Sequence, residues 1–282
     1  MPTQTEKAVQ FQRLHARSGA FVIPNPWDAG SARLLTSCGF EALTTTSAGL
    51  AFSLGRRDGS RLVSRRETLD NAKTIVTATP LPVAADLEGG FGDAPEDAAR
   101  TIRQAAEVAG LVGGSIEDAT GDPAHPVYDF SQAVERVHAA AEAARKLDFP
   151  FMFVARAENF LHGRRDLDDT IRRLQAFEAA GADVLYAPGL AQLEEVRTVC
   201  QSVSKPVNVL CGVKNSDGGV ASVEELASAG ARRISLGGAL TRTALGALMR
   251  AATEMREKGT FTFLADAAPF AEISARMADD VC

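Results

Sequence analysis

The sequence predicts an α/β protein, a (β/α)8 TIM-type barrel with an extra C-terminal helix. Three observations predict it. Eight short apolar runs of strand length alternate with amphipathic stretches, several of those stretches end in a glycine just before the next run, and 282 residues suit one such barrel. Strands that alternate with helices pair in parallel through helical crossovers, and eight such units can close on themselves. An open doubly wound sheet is the alternative, but its nucleotide fingerprints are missing: no G-x-G-x-x-G follows the first run and no G-x-x-x-x-G-K-[ST] occurs. The barrel is assigned to 1–258 and a helical extension to 259–282, one domain overall.

The first run, 21–25 (FVIPN), leads into NPWDAGSARLL, where Asp28 is placed to cap the next helix. The second, 42–47 (ALTTTS), opens into the small-residue stretch 44–55, TTTSAGLAFSLG. The third, 82–87 (PVAADL), precedes a helix over 96–109 opened by Pro95, whose missing N–H costs nothing at a first helical position. After the fourth, 113–118 (GGSIED), the segment 117–130 (EDATGDPAHPVYDF) has no period and is expected to overhang the site as a lid. A helix follows over 131–147, then the fifth run, 151–156 (FMFVAR), and a helix over 168–180. The sixth run is 183–187 (DVLYA) with a helix over 191–203, and the seventh is 206–211 (PVNVLC) with a helix over 222–229. The eighth, 232–237 (RRISLG), feeds a helix over 239–258, and a last helix is expected over 268–280, where it can pack on a neighbour. Gly181 and Gly230 fit helix C-caps, since glycine takes the left-handed conformation cheaply.

A hydrophobic content of 45% supports a sizeable core, and a net charge of −6 with both signs interleaved argues against a nucleic-acid surface. It suits an enzyme handling a small molecule. No run approaches the ~18 apolar residues of a membrane span, and the polar N-terminus (MPTQTEKAVQFQRLHARSGA) has no signal-peptide core, so no membrane partner and a cytoplasmic location are expected. Cys38, Cys200, Cys211 and Cys282 form no C-x-x-C pair and are expected to be reduced, mostly buried thiols.

Chemistry in such a barrel sits at the carboxyl ends of the strands. Asp86 and Glu88 end the third run and, with a period of two, point the same way. Glu117 and Asp118 end the fourth, Arg156 ends the fifth with Glu158 and Asn159 just beyond, Asn208 lies within the seventh, and Asp58 follows the second. Buried carboxylates need cations or donors. One solution is internal pairing with Arg156. The other is a hard divalent ion, with Asp86 as direct ligand and Glu88, Glu117 and Asp58 around it. Successive N–H groups of Thr46, Ser47 and Ala48 can cradle a carboxylate or phosphate, or form an ordinary tight turn. His125 in the lid is a candidate proton donor or a solvated loop residue. His15 and His138 fall in helical stretches and read as structural or surface residues; His162 shows no ligand spacing.

Taken together, NPWDAGSA (25–32), TTTSAGLAFSLG (44–55) with Asp58, ADLEGGFG (85–92), SIEDATG (115–121) and VARAENF (154–160) resemble the isocitrate lyase/phosphoenolpyruvate mutase superfamily over about 21–245. The resemblance implies a Mg²⁺-dependent enzyme, with Mn²⁺ as an alternative ion, acting on 2-oxo acids or their enolates. It implies Asp86 as the metal-binding acid, and Glu88, Glu117 and Asp58 reaching the ion largely through water. Thr46, Ser47 and Ala48 then hold the substrate carboxylate and Arg156 grips the substrate; Asn208, from its place within the seventh run, is a further substrate-binding candidate. It also implies a homodimer or homotetramer in which a C-terminal helix is exchanged, a role open to 268–280. The chain departs from the family's patterns at three points, the first of them conservative. The family's D-x-D-x-G-[FY]-G reads D-L-E-G-G-F-G here, and the K-[KR]-C-G-H motif of the isocitrate and methylisocitrate lyases is replaced by ATGDPAHP. The phosphonate-processing members carry Lys and Asn in their lid, and 119–130 has neither. The expectation is a carbon–carbon lyase of oxaloacetate decarboxylase-like or methylisocitrate lyase-like chemistry, with C–P chemistry or a non-catalytic 2-oxo acid binder as alternatives.

Overall fold

In the computed structural model, which describes residues 1–59 and 61–278, all eight apolar runs form strands of one parallel sheet. They are β1 (Phe21–Ile23), β2 (Leu43–Thr44), β3 (Val83–Asp86), β4 (Gly113–Glu117), β5 (Met152–Arg156), β6 (Val184–Tyr186), β7 (Val207–Leu210) and β8 (Arg233–Ser235). Their order, β1-β8-β7-β6-β5-β4-β3-β2, sets each strand beside its sequence neighbour and brings the last beside the first. The sheet is therefore a nearly closed barrel. Between β1 and β2 closure rests on loop contacts. Thr44 N–H donates to Pro24 O at 3.1 Å, and the Asn25 side chain donates to Thr45 O at 2.9 Å while accepting from Leu236 and Gly237 N–H at 2.8 and 2.9 Å.

The helices are α1 (Gln4–Ala16), α2 (Ala29–Ser37), α3 (Ser47–Ser53), α4 (Arg65–Thr77), α5 (Pro95–Glu107), α6 (Phe130–Arg145), α7 (Leu167–Ala179), α8 (Leu193–Ser202), α9 (Val223–Ser228), α10 (Ala239–Lys258) and α11 (Phe270–Arg276), with a 3₁₀ turn at Thr262–Asp266. Pro95 occupies the first turn of α5 as expected, and the Asp28 carboxylate caps α2 by accepting from Ser31 N–H at 2.7 Å. Gly181 and Gly230 follow α7 and α9 with φ of 106° each, a left-handed conformation that β-carbon-bearing residues avoid.

Three helices go beyond the sequence expectation. In α1, Ala8, Phe11 and Leu14 join Phe21, Val112, Met152 and Val184 at the starts of their strands, closing the lower end of the barrel. Gly113 makes room for it: a β-carbon there would stand 2.8 Å from the Phe11 ring. Within the stretch 44–55, Ser47–Ser53 form a helix, α3, where a tight turn was the plain expectation, and α4 follows Asp58. A second apolar core, including Ile75, Ile102, Phe153 and Phe177, lies between sheet and helices. The C-terminal helix is shorter than the expected 268–280, whose last two residues lie outside the described residues, as does Cys282. It rests on α2 of its own chain, where Arg33 donates to Met277 O at 2.7 Å and Arg276 to Ser37 Oγ at 2.9 Å. The expectation of mostly buried thiols is corrected: Cys38 is exposed at the end of α2, and Cys200 and Cys211 are half-buried; all three are free. No helix among the described residues is long and apolar enough to cross a membrane.

Candidate active site

Parallel strands deliver their carboxyl ends to one mouth. Two adjoining cavities, of about 580 and 170 Å³, open there and share Ser47, Asp58, Arg156 and Leu161 in their walls. Glu88, Glu117 and Glu158 line the larger one; Thr46, Ala48, Asp86, Asn208 and Arg233 line the smaller. Of the strand-end and lid residues singled out from sequence, Asp118, Asn159 and His125 line neither. The His125 imidazole is 84% exposed, with Nδ1 3.4 Å from Asp122 Oδ2.

Arg156 is the hub. Its Nη1 donates to Asp86 Oδ1 at 3.0 Å, Nη2 lies 3.1 Å from Glu117 Oε2, and Nε donates to Glu158 Oε1 at 2.9 Å. Burial works against its charge, but Glu158, Glu117 and Asp86 outweigh it and hold the guanidinium ionised. One cation does not balance the acids. Burial, then the charges of Asp86 and Asp58, push the Glu88 carboxyl up to about 7. Burial and Asp86 likewise raise Asp58, and burial raises Glu117 well above the usual carboxylate range. Glu158 rises to about 7, chiefly through burial.

Strand period does not place Glu88. The strand ends at Asp86, whose Oδ1 accepts Glu88 N–H at 3.2 Å, and Glu88 turns into the left-handed region at φ 47°. The two acids therefore face adjoining cavities. Arg136 of α6 holds the turn by donating to the carbonyls of Gly89 and Gly92 and stacking 4.4 Å from the Tyr128 ring. Asp118 has a supporting role: it accepts from Glu158 N–H at 2.8 Å and from Arg173 at 3.0 Å. Thr46 caps α3 by accepting from Gly49 N–H at 3.2 Å, which points Ser47 at the site; its Oγ donates to Asp86 Oδ2 at 2.9 Å. Asn208 donates to Ser235 Oγ at 2.9 Å while its Oδ1 is buried without a partner. The pairing of Arg156 with Glu158, and the inward Arg233, were not assigned from sequence. The second arginine of RRISLG, a charge inside an apolar run, was the available signal.

A barrel whose mouth gathers an excess of carboxylates around one buried arginine defines a class of enzyme-like sites suited to small acids and hard cations. A model of the phosphoenolpyruvate phosphomutase family matches residues 11–256, and the chain belongs to that family, within the isocitrate lyase/phosphoenolpyruvate mutase superfamily. A Burkholderia cenocepacia J2315 protein, provisionally designated a lyase/mutase, has a crystal structure that superposes with a TM-score of 0.93 at 57% identity, covering 98% of this chain and 96% of that one. The crystal structure of 2,3-dimethylmalate lyase superposes with a TM-score of 0.84 at 26% identity, covering 99% of this chain and 96% of that one. The 2-methylisocitrate lyase of Halalkalibacterium halodurans is 30% identical over 207 residues, 73% of this chain and 67% of its own length.

Among the described residues, no three His, Cys, Asp or Glu side chains stand grouped to hold an ion. The reason is visible: the Arg156 guanidinium occupies the space between Asp86, Glu117 and Glu158. The donor set nevertheless fits a hard dication. It is all oxygen, it carries more negative charge than Arg156 neutralises, and Mg²⁺ commonly uses only one or two carboxylates and fills its shell with water.

Proposed function

We propose that this protein is a divalent-cation-dependent lyase that breaks a carbon–carbon bond of a 2-oxo acid, or of a related hydroxy di- or tricarboxylate, through an enolate. The observation that carries the reading is the cluster of Asp58, Asp86, Glu88 and Glu117 around Arg156, with Glu88 held near pH 7 by burial and its neighbours. The names of the two lyases described above support the substrate class. Asp86, with Glu88, Glu117 and Asp58 around it, would hold Mg²⁺ or Mn²⁺, which would supply electrostatic stabilisation for the oxygen that becomes negative.

The chain's own residues do the rest. Thr46, Ser47 and Ala48 at the head of α3 receive the substrate carboxylate, and Asn208 contacts the substrate from β7. Arg156, kept ionised by its acids, faces the developing enolate. Glu88, in the cavity wall, is placed to exchange the proton that quenches it. Segment 117–130 contains no cysteine to protonate a leaving group. Loss of CO₂ needs none, which favours decarboxylase-like chemistry over retro-aldol cleavage of isocitrate.

The test is Asp86→Ala. With Mg²⁺ and a panel of 2-oxo and hydroxy acids, the wild type is expected to release pyruvate or a related 2-oxo product. The variant is expected to lose that turnover with its circular dichroism unchanged. Undiminished turnover in the variant would remove Asp86 from the mechanism. Binding without product from any candidate would leave the protein a 2-oxo acid binder.

A further inference from the structure

Among the described residues Arg136, Arg173 and Arg233 are buried and Arg156 nearly so, and all but Arg233 have carboxylate or carbonyl partners, although Arg136 Nε is left without one. Arg156 meets three carboxylates, Arg173 pairs with Asp118 and Asp169, and Arg136 donates to a row of backbone carbonyls. Arg233 differs. It opens β8 and turns inward beneath the mouth, where it lines the smaller cavity, and only 4% of it is exposed. Its Nε and Nη1 have no hydrogen-bond partner, and no carboxylate among the described residues forms an ion pair with it. Burial lowers its pKa to about 10, with Tyr186 as the opposing group. His15 beneath it brings no negative charge either: burial and the charge on Arg233 hold its imidazole neutral.

A second orphan sits beside it. Asn208 and Arg233 are register partners across β7 and β8, both line the cavity, and Asn208 Oδ1 is buried without a donor. A buried cation with no anion is costly, and the fork of a guanidinium matches a carboxylate. The cavity, about 170 Å³, is roughly six times the share of one liquid water, room for a small acid.

We infer that Arg233 recognises a second carboxylate of the substrate, so that the site takes di- or tricarboxylic 2-oxo or 2-hydroxy acids in preference to monocarboxylates. The inference rests on the lyase reading above and narrows its substrate class. The acid end remote from the α3 cradle reaches down to Arg233, and a hydroxyl on the same molecule has Asn208 Oδ1 as its acceptor.

Calorimetric titration of the Mg²⁺-loaded protein with malonate, succinate and pyruvate tests it. The wild type is expected to bind at least one dicarboxylate tenfold or more tightly than pyruvate, the scale of a charge-assisted hydrogen bond. Arg233→Met should lose that preference and keep its pyruvate affinity. Should that variant fail to fold, Asn208→Asp, which sets an internal carboxylate beside the arginine, is expected to abolish the preference in a folded protein. Equal dicarboxylate preference in wild type and variants overturns the inference and leaves the lyase reading standing. Arg233-dependent binding of inorganic phosphate or chloride, with none of the dicarboxylates, also overturns it. No binding of any of the acids by the wild type overturns the lyase reading, and this inference with it.

Discussion

His15 shows what burial does to a single titratable group. Its ring is wedged edge-on against Phe11 and Phe21, at centroid distances of 4.6 and 5.0 Å, and Nδ1–H donates to Phe11 O at 2.8 Å. Burial first, then the charge on Arg233, push its pKa from 6.5 to about 3. The folded protein keeps His15 neutral where the unfolded chain would protonate it. Its contribution to stability is therefore full above pH 6.5 and is lost progressively as pH falls toward 3. At about 1.4 kcal/mol per pH unit, the fall between pH 6.5 and 5 amounts to about 2 kcal/mol. Urea denaturation of wild type and His15→Gln should show the wild type losing that much more over the interval; parallel acid limbs would refute it. The sequence placed His15 in a helical stretch and left open whether it was structural or on the surface, and it made the mouth acids legible because they end apolar runs. It could not show partnership. Whether Glu158 reaches Arg156, or whether Arg233 turns inward without an acid, depends on side chains brought together from different strands. His125 is the converse: a loop sequence does not fix which way its tip turns.

At the scale of elements, α3 is the wall on which the proposed carboxylate cradle stands, and Gly49 sets its position. A β-carbon there would lie 2.6 Å from Thr46 Cγ2 and 2.7 Å from both Thr241 Oγ1 and Trp27 Cβ. Gly49→Ala is therefore expected to push α3 outward, cost about 1–3 kcal/mol of stability and move Ser47 off Asp86, lowering kcat/KM. Gly246→Ala on α10 is the control: its β-carbon meets only the flexible end of Arg250 at 3.3 Å, and replacing a helical glycine gains about 0.5–1 kcal/mol. Equal effects from the two substitutions would rule out the packing argument. The eight strands and the helices from α5 to α10 were legible because apolar runs and helical periods alternate regularly there. The seven-residue α3 was not, since TTTSAG is rich in hydroxyl and β-branched residues that read as strand or turn. The helices α1 and α4 did carry a usable signal. Thr3–Glu6 and Ser64–Glu67 are capping boxes in the structure and have the S/T-x-x-E spacing in the sequence.

For the whole molecule the telling feature is an uncovered apolar face. Helix α10 runs for 20 residues with only Thr241 buried. Along it and the segment that follows, Leu248, Met249, Phe261, Leu264 and Phe270 are 63, 69, 61, 61 and 88% exposed. Exposed apolar surface of this extent marks an association site, and the family resemblance implies subunits that exchange a C-terminal helix. The protein is accordingly expected to run as a dimer or tetramer in size-exclusion chromatography with light scattering, and Leu248→Glu with Phe270→Glu to reduce it to a monomer. A wild type that stays monomeric at every concentration would exclude self-association through this face. Assembly should also matter to turnover, because Thr241 of α10 stands against Gly49 of α3 and so behind Ser47. A partner pressed onto α10 stiffens that wall; without one, α10 is a long helix held by little of its own burial. The dissociated variant is therefore expected to lose activity together with mass, whereas a monomer with undiminished kcat would show that the barrel holds its site unaided.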